Sequence, residues 1–458
     1  MSAGDAEVVV VGAGFAGLSA ALALRKAGVP VVVLEARDRV GGRSMAGTLN
    51  GYTVDLGGQW IGPAHTRLAS LAAAYGVATA PQYASGRKIV EYGGRIATYT
   101  GLIPKLPIVG LLEADLMIRR INRLAERVPL EAPWSAANAA LLDAETLESW
   151  KRRTVRTKSA RALLDIAVRS IFTVEAGDLS LLWFLFYCRS GAGFEALASI
   201  EKGAQERVFV GGGHQIAAAM ARELGDAIRL SEPVSAIAQD GRSVRVATPS
   251  GTVTARYAIV AVPPPLAGRI AYQPALPIAR DALFQRMAMG SVIKAYAAYP
   301  TPFWRARGLS GEVISDTGAF SPVFDASPSD GSFGALVGFF DGNAARVWSE
   351  RGSDARRTSV LENLVRYFGP EAAQPIDYAE QNWPAEIWSR GCYAAFAGPG
   401  TLTAYGSAIR TPCGRIHWAG TETSSVSCGY LDGAVLSGDR AAAEVLAARA
   451  RGEAAASD

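Results

Sequence analysis

The stretch EVVVVGAGFAGLSAALALRKAGVPVVVLEAR, residues 7–37, decides the fold. From Glu7 to Val11 the chain reads as a strand buried on both faces, because four valines follow Glu7 without a polar break. Next come Gly12-Ala13-Gly14-Phe15-Ala16-Gly17 and an Ala/Leu-rich helix from Leu18 to Ala27, stopped by Gly28. Val29 to Leu34 repeats the buried-strand pattern and ends at Glu35, 21 residues after Gly14. A GxGxxG match alone is weak evidence, but here it sits inside a complete strand–helix–strand unit. Gly12 permits the tight turn, Gly14 lets the backbone approach a pyrophosphate, and Gly17 allows close helix–strand packing. The helix N-terminus offers free N–H groups and a positive dipole end to phosphates. Glu35 can accept both hydroxyls of an adenosine ribose and would repel a 2′-phosphate. The unit predicts a dinucleotide site.

Composition narrows the chemistry. The chain has 458 residues, a formal net charge of +4, 49% hydrophobic and 19% charged residues. That balance supports a large core and gives no electrostatic case for a nucleic-acid partner. Three histidines (His65, His214, His417) and four scattered cysteines (Cys188, Cys392, Cys413, Cys428) form no CxxC or HxxxH pair. No metal site and no disulfide framework is expected, so the chemistry must come from an organic cofactor or common side chains. The most apolar run, Leu179 to Cys188, is far short of the ~20 residues of a membrane span. The start, MSAGDAEVVVVGAG, lacks a basic region and a small-residue cleavage pattern, so a soluble cytoplasmic protein is the expectation.

Two textures alternate along the chain. Helix-like segments occupy Ile108 to Glu126 and Leu141 to Tyr187, whereas Glu206 to Val262 returns to strands and turns. Strand patterns recur at Val292 to Tyr299 and Gly334 to Phe340. Near the end, Ile416-His417-Trp418-Ala419-Gly420-Thr421-Glu422 leads into a helix from about Tyr430 to Ala448. The alternation predicts two interleaved domains in an α/β fold, with an α+β second domain.

NAD and FAD both use the opening unit, and the residues just beyond it separate them. Arg37-Asp38-Arg39-Val40-Gly41-Gly42-Arg43 places flexible backbone and a guanidinium beside the pyrophosphate. Gly420-Thr421-Glu422-Thr423 sets a second glycine turn before a helix, suited to the electron-rich end of a reduced flavin. Together EARDRVGGR, DLGGQW, MGSVIK, SRGCY and AGTETSSVSCGYLDGA resemble the flavin-containing monoamine oxidase family. The likeness covers nearly the whole chain, from Val8 to about Ala448, and fits the soluble bacterial members.

The resemblance implies FAD, held by a Rossmann-like domain of residues 1–78, 208–283 and 386–450. A mixed-sheet and helical substrate domain would take 79–207 and 284–385, leaving 451–458 as a flexible tail. It carries cofactor contacts to Gly12, Ala13, Gly14, Phe15, Ala16, Gly17, Glu35, Ala36, Arg37, Gly42 and Arg43. Further contacts fall at Gly57, Gly58, Gln59, Trp60, Val234, Trp383, Cys392, Gly420, Thr421, Glu422, Tyr430 and Leu431. Tyr393 and Tyr430 match the aromatic pair that flanks the amine, and Lys294 the lysine that holds a water against flavin N5. By themselves two tyrosines are ordinary half-buried core residues, and a strand-end lysine reaches solvent; the resemblance carries the assignment. Cys392 matches the cysteine that bonds the flavin 8α-methyl in mitochondrial members. Many soluble relatives bind FAD without that bond, and Arg390 stands where the mitochondrial members carry glycine, so both attachments stay open.

Cavity walls are expected at Ile171, Phe172, Ala198, Gln205, Phe324 and Phe339. These include no carboxylate for a second ammonium and no arginine for an amino-acid carboxylate, which points to a lipophilic primary amine. The implied reaction takes a hydride equivalent from the amine's α-carbon to FAD. The imine hydrolyses to aldehyde and ammonia, and O₂ is reduced to H₂O₂. An amino-acid or polyamine oxidase of the same fold remains an alternative, as does a flavin dehydrogenase with another acceptor. A small-molecule amine and O₂ are the expected partners; a homodimer stays open as the commonest soluble assembly.

Overall fold

The computed structural model describes residues 6–101, 104 and 108–454. The strands of its two largest sheets begin with β1 (Val8–Val11), β2 (Val31–Leu34), β3 (Arg87–Tyr92), β4 (Arg95–Tyr99), β5 (Ile228–Arg229) and β6 (Tyr257–Val260). They continue with β7 (Val292–Tyr299), β8 (Leu309–Ser315), β9 (Val323–Asp325), β10 (Gly334–Asp341), β11 (Asp377–Asn382) and β12 (Ile416–Trp418).

The first sheet has the order β5-β2-β1-β6-β12 and is parallel throughout. Its valine run is explained by cover on both faces. Val8 and Val10 pack with Leu18, Ile259 and Val435, whereas Val9 and Val11 pack with Ile237, Val244 and Val246. Helix α1 (Phe15–Lys26) starts directly after Gly14, three residues earlier than the Leu18 expected from composition. Gly17 explains how it sits so close to the strand: a Cβ there would lie 1.9 Å from the Gly12 carbonyl oxygen.

The second sheet has the order β11-β7-β10-β9-β8-β3-β4. Helices α2 (Ile108–Ala125), α3 (Lys158–Phe172) and α4 (Leu181–Ser190) share a large apolar core that also takes in Ala395 and Phe396. The last helix, α5 (Leu431–Ala454), runs beyond the expected end near Ala448. Of the expected tail, residues 451–454 are therefore helical and 455–458 lie outside the described residues. Every strand of the parallel sheet falls in residues 1–78, 208–283 or 386–450, and every strand of the second sheet in 79–207 or 284–385.

Candidate active site

A cavity of about 820 Å³ lies between the two sheets. Gly14, Glu35 and Arg43 line it near the parallel sheet; Lys294, Phe339 and Tyr393 line it on the other side. The Gly14 and Gly42 backbones approach closely there: a Cβ on Gly42 would stand 3.3 Å from Gly14 Cα. Glu35 is fixed at the tip of β2, accepting N–H bonds from Ala13 (2.7 Å) and Arg37 (3.0 Å).

Arg43 makes a forked pair with Glu422, Nη1–Oε1 at 2.7 Å and Nη2–Oε2 at 3.2 Å. Its Nη1 also donates to the Tyr393 carbonyl at 2.8 Å, and the Ala395 N–H donates to Glu422 Oε1 at 3.0 Å. Burial disfavours the charges, but each partner stabilises the other: the Glu422 carboxyl lies below its usual range and the Arg43 guanidinium above. Three segments distant in sequence meet at this pair.

Lys294 lies inside β7 with only 2% of its surface exposed. Its ammonium donates to Asp55 O (2.5 Å), Gly57 O (2.9 Å) and Gln59 Oε1. These acceptors belong to the DLGGQ segment, residues 55–59, which is part of neither large sheet, so Lys294 ties its strand to a loop distant in sequence. A strand-end lysine reaching solvent is excluded. Burial pushes its pKa down to about 7, with Asp55 opposing in part.

Tyr393 packs edge-on to Phe339 with ring centroids 6.2 Å apart. Tyr430 leans on His65 at 4.7 Å and on Tyr187 at 6.3 Å. The His65 Nδ1 accepts the Gly62 N–H at 3.0 Å, which fixes that ring behind Tyr430. Cys392 lines the same cavity, and burial pushes its thiol up to about 12 against the pull of Arg43 and Lys294.

Most expected site residues line the cavity: Phe15, Ala16, Ala36, Gly57, Gly58, Gln59 and Trp60 do, as do Val234, Gly420, Thr421 and Leu431. Ile171, Ala198, Gln205 and Phe324 do so among the expected walls. Five do not. Ala13 and Gly17 face away, serving the turn through a backbone bond and close packing. Glu422 spends its carboxylate on Arg43. Trp383 stands one layer back, its indole N–H donating to Leu56 O at 3.0 Å. Phe172 points into the helical core against Tyr187 (4.6 Å) and Phe184 (5.5 Å). The cavity face of α3 is Leu163, Ile166, Ala167, Ser170 and Ile171, a helical stripe that Phe172 falls outside.

Sequence reasoning missed Tyr187, which is indistinguishable from core in the apolar run LLWFLFYC. The expectation of uncharged walls also needs correction, because Glu195 and Glu312 both line the cavity. Nothing in a single strand's alternation says which face meets a cavity. Asp341, two residues beyond Phe339, is a buried carboxyl pushed up to about 8 by desolvation, which keeps it largely neutral at neutral pH.

Residues 15–446 match the family described as flavin containing amine oxidoreductase. The chain belongs to the flavin-containing amine oxidase family. Among its relatives is the Canis lupus familiaris flavin-containing amine oxidase B, 38% identical over 97% of this chain and 86% of that one. Similar solved structures include a putrescine oxidase bound to putrescine, with TM-score 0.93 and 35% identity over 96% of this chain and 99% of that one. The cyclohexylamine oxidase of Brevibacterium oxydans gives TM-score 0.92 and 32% identity over 96% and 98%. The chain is thus an oxidoreductase acting on amines, and the family uses a flavin. The residues present fit a flavin dinucleotide: Gly14 and Gly42 line the cavity with no side chain to fill it, and one cavity connects Glu35 with Tyr393. Among the described residues no helix is long and apolar enough to cross a membrane, and no cluster suited to a metal ion occurs.

The depressed Lys294 pKa has a measurable sign. Between pH about 7 and 10.5 the unfolded chain holds a lysine proton that the folded chain has lost, so stability rises with pH across that window. Urea unfolding of wild type and Lys294→Met should differ in slope by up to about 1.4 kcal/mol per pH unit there. Equal slopes would show that the lysine titrates normally.

Proposed function

We propose that this chain oxidises a lipophilic primary amine with O₂, giving aldehyde, ammonia and H₂O₂. The balance is one amine, one O₂ and one water consumed per product set. The observation that carries this reading is the convergence of Lys294, Tyr393 and Tyr430 on one end of a largely apolar cavity. Residues 1–78, 208–283 and 386–450 would form the FAD-binding domain, and 79–207 and 284–385 the substrate domain. The Gly12–Gly17 turn and Arg43 would hold the pyrophosphate, and Glu35 the adenosine ribose. Bound FAD supplies the two-electron acceptor.

The chain's own residues do the rest. Tyr393 and Tyr430 present aromatic faces that exclude water and orient the amine nitrogen. Their apolar surroundings favour the neutral amine, the form with a free lone pair. Lys294, near pH 7 a mixture of ammonium and amine, can give or accept a proton beside the reacting end. A thioether would require Cys392 to lose its proton, and the raised thiol pKa supports FAD held without a covalent bond.

A panel of benzylamine, tyramine, putrescine and leucine tests the reading. Peroxide should form fastest with the aromatic amines and least with leucine. Leucine or putrescine as the best substrate would replace it with an amino-acid or polyamine oxidase. Amine oxidation without peroxide would identify a dehydrogenase. On denaturation the yellow colour should pass to the supernatant; colour retained on the polypeptide would establish the covalent bond instead.

A further inference from the structure

The sheet that carries Lys294 continues past the reacting end, and its register lays out the remote wall. Lys294 on β7 stands opposite Phe339 on β10. The Phe339 N–H bonds Pro322 O, just before β9, at 3.1 Å. Val313 on β8 pairs with Val323 on β9, which sets Glu312 beside Phe324 and Ile314 beside Pro322. All four of those residues line the cavity. On the other side of β8, Ile89 of β3 is opposite Val313, bringing Lys88 beside Glu312 with Nζ–Oε2 at 2.8 Å. Lys88 is opposite Tyr99 on β4, which also lines the cavity. One row therefore reads Phe324, Glu312, Lys88, Tyr99. Glu312 lies two strands from Phe339 and two residues along, roughly 12 Å at the usual strand spacing and rise.

The chemistry of this row is polar but balanced. Glu312 Oε2 ion-pairs with Lys88 at 2.8 Å and is buried without a hydrogen-bond partner among the described residues. The Tyr99 ring is buried, and its hydroxyl lies close enough to Glu312 to feel that charge. Ile118, Leu163 and Ile314 supply apolar walls around them. Lys88 cancels the carboxylate charge, so the row offers hydrogen bonding without a net field. A second ammonium arriving here would meet a Glu312 already paired with Lys88, which stands behind the cavity wall, and would shed its hydration shell. A hydroxyl costs far less to bury, and it can donate to Glu312 while accepting from Tyr99.

We propose that Glu312, Lys88 and Tyr99 form a specificity subsite for primary amines carrying a hydroxyl at the far end, with Glu312 roughly 12 Å from Phe339 at the other end of the cavity wall. The subsite rests on the amine-oxidase reading and names the substrate class it selects. It also explains how a carboxylate can stand in the cavity of an enzyme for monoamines: the partner lysine removes its appeal to a second cation.

The test is kcat/KM of the flavin-loaded enzyme for hexylamine, 6-aminohexanol and hexane-1,6-diamine. Wild type should prefer the amino alcohol to hexylamine by about tenfold, the worth of one hydrogen bond to a charged group. The diamine should rank last. In Tyr99→Phe the preference should shrink severalfold. In the double variant Lys88→Met/Glu312→Leu, which leaves no unpaired buried charge, it should vanish. Lys88→Met alone should invert the order, placing the diamine above the amino alcohol. A wild-type preference for the diamine, or a double variant that keeps the alcohol preference, would overturn the subsite while leaving the amine-oxidase reading intact. Failure to oxidise any of the three would remove that reading, and the subsite with it.

Discussion

The forked pair between Arg43 and Glu422 joins parts of the chain that nothing local would bring together. Arg43 comes just after the first strand–helix–strand unit, and Glu422 precedes the last helix. Between them the pair holds the Tyr393 carbonyl and the Ala395 N–H, and hence the segment that carries Cys392 and Tyr393. Removing either partner would leave a buried charge uncompensated, at a cost of several kcal/mol (about 3–5). The pair therefore fixes the backbone around Tyr393 as well as stabilising it. Lys294 does the same from the opposite sheet, closing on three acceptors of the loop that contains Asp55, Gly57 and Gln59.

Both cations line the cavity between the two sheets. A lysine inside an apolar strand requires acceptors, and the loop carbonyls provide them only if the loop stays against the sheet. The space left between is lined by backbone-exposing glycines at one end and by aromatic rings at the other. That division suits a cofactor with a charged dinucleotide half and a planar, reactive half.

Legibility in the sequence tracks how local each constraint is. The glycine turn is readable because Gly12, Gly14 and Gly17 answer demands set within a few residues of chain. The valine runs announce a doubly covered parallel sheet for the same reason. Cavity walls are less legible, because a wall depends on which face of an element a distant partner covers. Phe172 is expected at the wall and packs into the helical core, one residue off the stripe that ends in Ile171. Trp383, expected beside the cofactor, donates its indole N–H to Leu56 O and stands behind the residues that line the cavity. Glu312, on a strand whose two faces both carry polar and apolar residues, leaves no signal. Its role depends on a neighbouring strand more than two hundred residues earlier, which supplies Lys88. Lys294 lies between these cases, since its position in an apolar strand is visible but its acceptors are not.

For the cavity to work as an amine oxidase, a flavin and a neutral amine must meet at the end shared by Lys294, Tyr393 and Tyr430. Anaerobic mixing of the flavin-loaded protein with a lipophilic primary amine reads that meeting without any coupled assay. The yellow absorbance of the oxidised flavin should bleach, and it should return when O₂ is admitted. An absorbance that stays unchanged with every amine, while the flavin remains bound, would contradict it.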